Sequence, residues 1–188
     1  DVCNAVDELG QLLDHTGPVA ASEHNAARIF HADHLFFVTN GTSTSNKIVW
    51  HSTVATDDIV VVDRNCHKSI LHAIMMTGTI PIFLQPTRNH FGIIGPITRD
   101  QFSVESIQRK IDAHPLVKDK TAKPRVMTIT QSTYDGVLYN TETIKHALDG
   151  YVDTLHFDEA WLPHAAFHSF YGQFHAMGKK RPRPKNQL

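Results

Sequence analysis

The part of this sequence with the most chemical content is Thr154-Leu-His-Phe-Asp-Glu-Ala-Trp161, an apolar strand pattern that runs into acid. A carboxylate at the carboxyl end of a buried strand is costly unless a cation or a protonated ring nitrogen meets it there. Asp158 therefore asks for a partner. Some α/β enzymes supply one as pyridoxal phosphate (PLP), whose pyridine nitrogen stays protonated beside an aspartate so that the ring can act as an electron sink. Many α/β proteins end a strand in Asp, so the segment gains weight only from its companions.

The first companion is Thr39-Asn-Gly-Thr-Ser-Thr-Ser-Asn-Lys47. Gly41 permits a tight turn, and Thr42, Ser43, Thr44 and Ser45 stand where a helix should begin. Free N–H groups and hydroxyls at such a point make a phosphate site. A Ser/Thr N-cap with surplus hydroxyls explains the residues equally well. Neither the P-loop spacing nor Gly-x-Gly-x-x-Gly occurs. The second companion, Asp63-Arg-Asn-Cys-His-Lys-Ser69, sets His67 just past a strand end, where its ring could lie flat on an aromatic cofactor. Taken alone it reads more simply as a helix-capping loop with His67 in solvent. The third, Thr130-Gln-Ser-Thr-Tyr-Asp-Gly136, has a turn signal in Asp135-Gly136 and polar side chains with no role fixed by their type.

The elements that must position these residues follow from hydrophobic spacing. Strands are expected over residues 35–38, 59–62, 80–84, 126–129 and 155–157. Helices are expected over residues 44–54, through Ile70, Leu71, Ile74 and Met75 to a stop at Gly78, over 104–111, and over 141–148 with Thr141 as N-cap and Gly150 closing it. Residues 86–96 read as a loop. The alternation predicts an α/β fold, a mainly parallel sheet sandwiched by helices, with ligands at the carboxyl ends of the strands. Candidate site residues should then follow Val38, Val62, Ile129 and Phe157.

With 188 residues, 41% of them hydrophobic and 20% charged, the chain has the size and composition of one globular domain. A net charge of −1 gives no field that favours nucleic acid or membrane. The basic run Lys179 to Lys185 reads as a solvated tail. Cys3 and Cys66 form no CxxC pair, which fits a reducing cytoplasm. No apolar run approaches the roughly 20 residues that cross a bilayer. Among 14 histidines, His156, His164, His168 and His175 lie near Asp158, and His164 and His168 have i, i+4 spacing. Pro163 interrupts that helix and His-Glu-x-x-His is absent. The histidines therefore read as surface or packing residues, with no metal expected.

Taken together, these segments, with Arg88-Asn-His-Phe-Gly-Ile-Ile-Gly-Pro96, closely resemble the bacterial ornithine/lysine/arginine decarboxylases, PLP enzymes of the aspartate-aminotransferase fold (fold type I). The resemblance runs from about Leu9 onward. It implies that Ser43 and Thr44 hold the cofactor phosphate with Thr42 nearby. It further implies that His67 stacks on the pyridine ring, Asp158 pairs with its nitrogen, Ala160 sits close to the ring and Trp161 helps to close the pocket. His67, Asp158 and Trp161 are thus the catalytic candidates.

In that family the Schiff-base lysine lies in a Ser-x-His-Lys motif, which this sequence lacks. The expectation is a piece of the major domain of a longer decarboxylase, inactive in isolation, or else a non-catalytic remnant. The substrate is expected to be a basic amino acid, with a lean toward arginine from the Phe-Asp-Glu-Ala-Trp form and Lys118-Asp-Lys120. A homodimer or larger homo-oligomer is expected from residues 9–17 and 88–96, which carry apolar and Gly/Pro-rich stretches without an evident partner.

Overall fold

The structure, a computed structural model, describes residues 6–177, so Cys3 and the basic run lie outside the described residues. Contacts gather the chain into two compact units, residues 6–39 with Met177, and Asn40–Ala176.

In the smaller unit, Pro18 starts helix α1 (Gly17–Phe30), and His31 ends it in the left-handed conformation. Gly10 has φ +71°, and a Cβ there would stand 2.1 Å from the carbonyl oxygen of Thr16, so this turn requires glycine. The strand expected over residues 35–38 does not form. The buried carboxylate of Glu23 takes the N–H of Phe37 at 2.8 Å, and Phe36 and Phe37 are exposed. An apolar run without a strand to pair with remains irregular.

The larger unit holds helices α2 (Thr42–Thr53), α3 (Lys68–Thr77), α4 (Val104–Ala113) and α5 (Thr141–Ala147). Its strands are β1 (Ile59–Asp63), β2 (Ile80–Leu84), β3 (Pro86–Arg88), β4 (Ile94–Ile97), β5 (Val126–Thr130) and β6 (Thr154–Asp158). Four strands form one parallel sheet in the order β2-β1-β5-β6. Val60 and Val62 face α2 and α3 through Trp50, Ile70 and Ala73. Val61, Met127 and Leu155 face α4 and α5 through Ile107, Ile111, Ile144 and Leu148. Burial on both sides explains the near-continuous apolar strands. Full burial of one such side chain stabilises the fold by roughly 2 kcal/mol. Pro81 lies on edge strand β2, where its missing donor is tolerated.

Three local expectations change. Residues 86–97 are not a plain loop, because β3 and β4 pair antiparallel around a turn at Gly92. Asn140, not Thr141, caps α5, accepting the N–H of Thr143 at 3.0 Å, while the Thr141 hydroxyl donates to the carbonyls of Gln173 and His175. That helix ends at Leu148, two residues before Gly150.

On the α2 side of the sheet, the Trp50 indole N–H donates to Thr128 Oγ1 at 3.1 Å, and the same oxygen is in hydrogen-bond contact with His156 Nδ1 at 3.1 Å. His156 is held neutral in the core by burial, which lowers its pKa to about 4, against a smaller opposing effect of Asp158. An unfolded histidine takes up its proton near pH 6.5, so acid favours unfolding between pH 6.5 and 4. Stability attributable to His156 should be fully present above that window and fall through it by up to about 3 kcal/mol. Urea unfolding from pH 7 to pH 4, compared between wild type and His156→Gln, checks this; equal pH slopes would refute it.

Candidate active site

The strand order contains a reversal. From β1 the chain moves outward to β2 and then returns to β5, on the other side of β1. Helix α3, which follows β1, covers one face of the sheet, and α5, which follows β5, covers the other. Connections that part in this way leave a crevice at the carboxyl ends of the two strands. The cleft found there has about 600 Å³ and is lined from four places: the start of α2, the loop after β1, the loop after β5 and the segment after β6.

Gly41, Thr42 and Ser43 form the first wall. Gly41 has φ +78°, in the left-handed region that favours glycine, and nothing lies within 4 Å of where a Cβ would stand. Helix α2 has no side-chain cap and no acid in its first turn. The N–H groups of Thr44 and Ser45 turn back to the Gly41 carbonyl, which leaves those of Thr42 and Ser43 outside the helical pattern. With the helix dipole behind them, these groups suit an anion. Thr44 is not on this wall: its hydroxyl donates to the Asn40 carbonyl at 3.3 Å.

On the second wall, the capping reading of His67 holds. Its ring borders the cleft and also caps α3, with Nδ1 accepting the Ser69 N–H at 3.2 Å. Asp63, at the end of β1, has one oxygen accepting the N–H of Asn65 at 2.7 Å, which shapes this loop. Burial pushes the Asp63 pKa above the usual carboxylate range, against the opposing hydrogen bonds from Asn65 and Thr130. Burial also raises the Cys66 thiol to about 12, so it is no nucleophile.

Asp158 ends β6 at the floor, only 6% exposed. Its Oδ1 accepts the Ala160 N–H at 3.2 Å and its Oδ2 accepts Asn46 Nδ2 at 2.9 Å. The Asn46 nitrogen also donates to Ser69 Oγ at 3.0 Å, and Ser69 Oγ lies 2.9 Å from His67 Nδ1. Across the mouth, Trp161 packs against Tyr134 with ring centroids 4.5 Å apart. Thr130 and Ser132 also line the cleft, and the buried Ser132 hydroxyl has no hydrogen-bond partner among the described residues. Such a group calls for a ligand or water.

All the expected site residues except Thr44 therefore converge. Thr130, Ser132 and Tyr134 of the segment that follows Ile129 join them as that segment's position predicts, and Asn46 and Ser69 join them without having been singled out. Asn46 was within reach of sequence reasoning, since its i, i+4 and i, i+3 spacing from Thr42 and Ser43 puts the three on one helix face. Among the described residues no three His, Cys, Asp or Glu side chains are placed to hold a metal. His164 and His168 are exposed, and His168 accepts the N–H of Phe170. A ligand with an anionic group at one end and a protonated aromatic nitrogen at the other fits what the cleft offers.

The comparisons with known proteins agree with this chemistry. The Orn/Lys/Arg decarboxylase major domain matches residues 1–186. Lysine decarboxylase LdcA of Pseudomonas aeruginosa is 58% identical over 96% of this chain, and the biodegradative arginine decarboxylase of Escherichia coli is 47% identical over 90%. These matches span 24% and 22% of those proteins, so the chain corresponds to about a quarter of their length. The solved structure of the Pseudomonas enzyme superposes with a TM-score of 0.91, over 96% of this chain and 24% of that one. Sphingomonas wittichii serine palmitoyltransferase, 11% identical with a TM-score of 0.52, shares the fold alone. The α/β fold is that of the large domain of fold-type-I PLP enzymes. By motif, by fold and by the match of residues 1–186 to its major domain, the chain belongs to the Orn/Lys/Arg decarboxylase family.

Proposed function

We propose that the protein carrying this chain decarboxylates a basic amino acid with PLP as cofactor, and that lysine is its first substrate. The observation that carries this reading is the convergence of the α2 start, His67 and Asp158 on one cleft in a chain of this family. When bound, PLP supplies a ring that takes up the electron pair released as the α-carboxylate leaves as CO₂. The chain's own residues do the rest. Ser43 and the free N–H groups of α2 bind the phosphate, and Asp158 holds the proton on the ring nitrogen. His67 covers a face of the ring, and Ala160 leaves space beside it. Tyr134 and Trp161 screen the mouth from water. The buried hydroxyl of Ser132 meets an oxygen atom of the cofactor or substrate.

The lean toward arginine finds no support among the relatives. The Pseudomonas lysine decarboxylase is 58% identical, the E. coli arginine enzyme 47% and the constitutive E. coli ornithine enzyme 38%. CO₂ release by the full-length protein from lysine, arginine and ornithine, with PLP present, tests the proposal. Lysine should give the highest kcat/KM; no release from any of the three sinks the reading. We also propose a homo-oligomer, because Phe91 and Ile93 stand exposed at the tip of the β3–β4 hairpin. Full activity in a protein that sediments as a monomer would contradict it.

Replacing Asp158 with Asn removes the charge that holds the ring-nitrogen proton and should lower kcat by roughly 10²–10³-fold, the cost of losing one preorganised electrostatic group. A variant with near wild-type kcat at saturating PLP would refute the role.

The phosphate wall separates neighbouring residues. Ser43→Ala should weaken PLP binding about tenfold, as expected for a hydrogen bond to a charged group. Thr44→Ala should change it little, because that hydroxyl already serves the Asn40 carbonyl. Titration of both variants with PLP decides, and the reverse order of effects would move the phosphate off this wall.

A further inference from the structure

We infer that Asn46 and Ser69 are positioning residues, which join the Asp158 carboxylate and the His67 ring into one hydrogen-bonded unit set before any cofactor arrives. The purpose of the unit rests on the PLP reading above; its existence does not.

The two Asn46 links can run in one direction only. An amide nitrogen only donates, so Asn46 gives one hydrogen to Asp158 Oδ2 at 2.9 Å and the other to Ser69 Oγ at 3.0 Å. Turning the amide over would set its carbonyl oxygen against a carboxylate. Ser69 Oγ, having accepted from Asn46, keeps its own hydrogen for His67 Nδ1 at 2.9 Å. That nitrogen also accepts the Ser69 N–H at 3.2 Å, so the ring proton of His67 sits on Nε2.

The two middle residues are 2% and 1% exposed, so neither can exchange a lost partner for water. The links join α2, the loop before α3, α3 itself and the end of β6. The group that would meet the ring nitrogen and the group that would cover the ring face are therefore oriented together. A change in either should be felt by the other.

A merely structural pair of polar residues would cost stability alone. A positioning pair must also show coupling in cofactor binding. The experiment measures the PLP dissociation constant of the full-length protein and of Asn46→Ala, Ser69→Ala, the double variant and Ser69→Thr. Asn46→Ala should raise it about tenfold and Ser69→Ala about threefold, the scale of one buried hydrogen bond lost. The double variant should be no weaker than Asn46→Ala within about twofold, since one chain is broken either way. Ser69→Thr, which keeps the hydroxyl, should restore wild-type affinity.

Effects that multiply in the double variant, or an unchanged constant in both single variants, overturn the inference. A crystal structure of cofactor-free Ser69→Ala decides independently of PLP and of whether Asn46→Ala folds. His67 and the Asn46 amide should leave their present orientations, and both remaining in place would also overturn the inference. A wild-type protein that takes up no PLP would instead sink the function proposed above, with the crystal structure still testing the unit.

Discussion

A carboxylate that is almost wholly buried must be met on each oxygen, and much of this site follows from meeting Asp158. One oxygen uses the backbone N–H of Ala160, which bends the chain sharply after β6. The other needs a donor from elsewhere, and Asn46 reaches it from the second turn of α2. That contact fixes the rotation of α2 about its own axis, and with it the direction in which Thr42, Ser43 and the free N–H groups point. The same amide binds Ser69 and thereby ties down the first turn of α3. Leaving a buried charge unpaired costs several kcal/mol, more than most single contacts here contribute. The ends of three elements therefore settle around one side chain.

The sheet makes this convergence possible without strain. Because β1 and β5 are neighbours whose following helices lie on opposite faces, no crossover covers their carboxyl ends. Polar side chains placed there can remain partly wet, while the apolar residues one turn below are sealed. Val60 and Val62 are fully buried, yet the loop that begins at Arg64 is largely exposed. The low dielectric beneath and the open cleft above place the site at a boundary, where fixed dipoles act strongly on a ligand and can still be reached by it.

The parallel strands and their helices were legible in the sequence because burial on both faces leaves long apolar runs, and Gly78 stops α3 as its position predicts. Residues 35–38 have equally strand-like composition, and only the absence of a pairing partner distinguishes them. Periodicity does not encode that. The hairpin at 86–97 was hidden because β3 and β4 are short and rich in Pro and Gly, which spacing rules read as loop. At the site, Asp158 and the segment holding His67 stood out by their position after strands, and Gly41 by its type alone. Thr44 looked as suitable as Ser43, since hydroxyls adjacent in sequence differ only in which way the helix turns them. Ser69 escaped because its role lies between elements far apart in the chain, whereas helix spacing alone could have put Asn46 beside Thr42 and Ser43.

The two histidines nearest this carboxylate illustrate what position alone does to one side chain. His156 lies two residues before Asp158 on the same strand, sealed in the core, and its Nδ1 meets the hydroxyl of a threonine that serves a tryptophan. His67 stands at the open end, and its Nδ1 accepts from a serine that serves an asparagine. In both, a hydroxyl stands between a buried side-chain donor and Nδ1. The inner relay ends in packed core, so it can only stabilise the fold. The outer one ends at a cleft, where a ring held in one tautomer and one orientation presents a flat, defined surface. The difference between these two histidines is the location of the relay's last atom, not the chemistry of the relay.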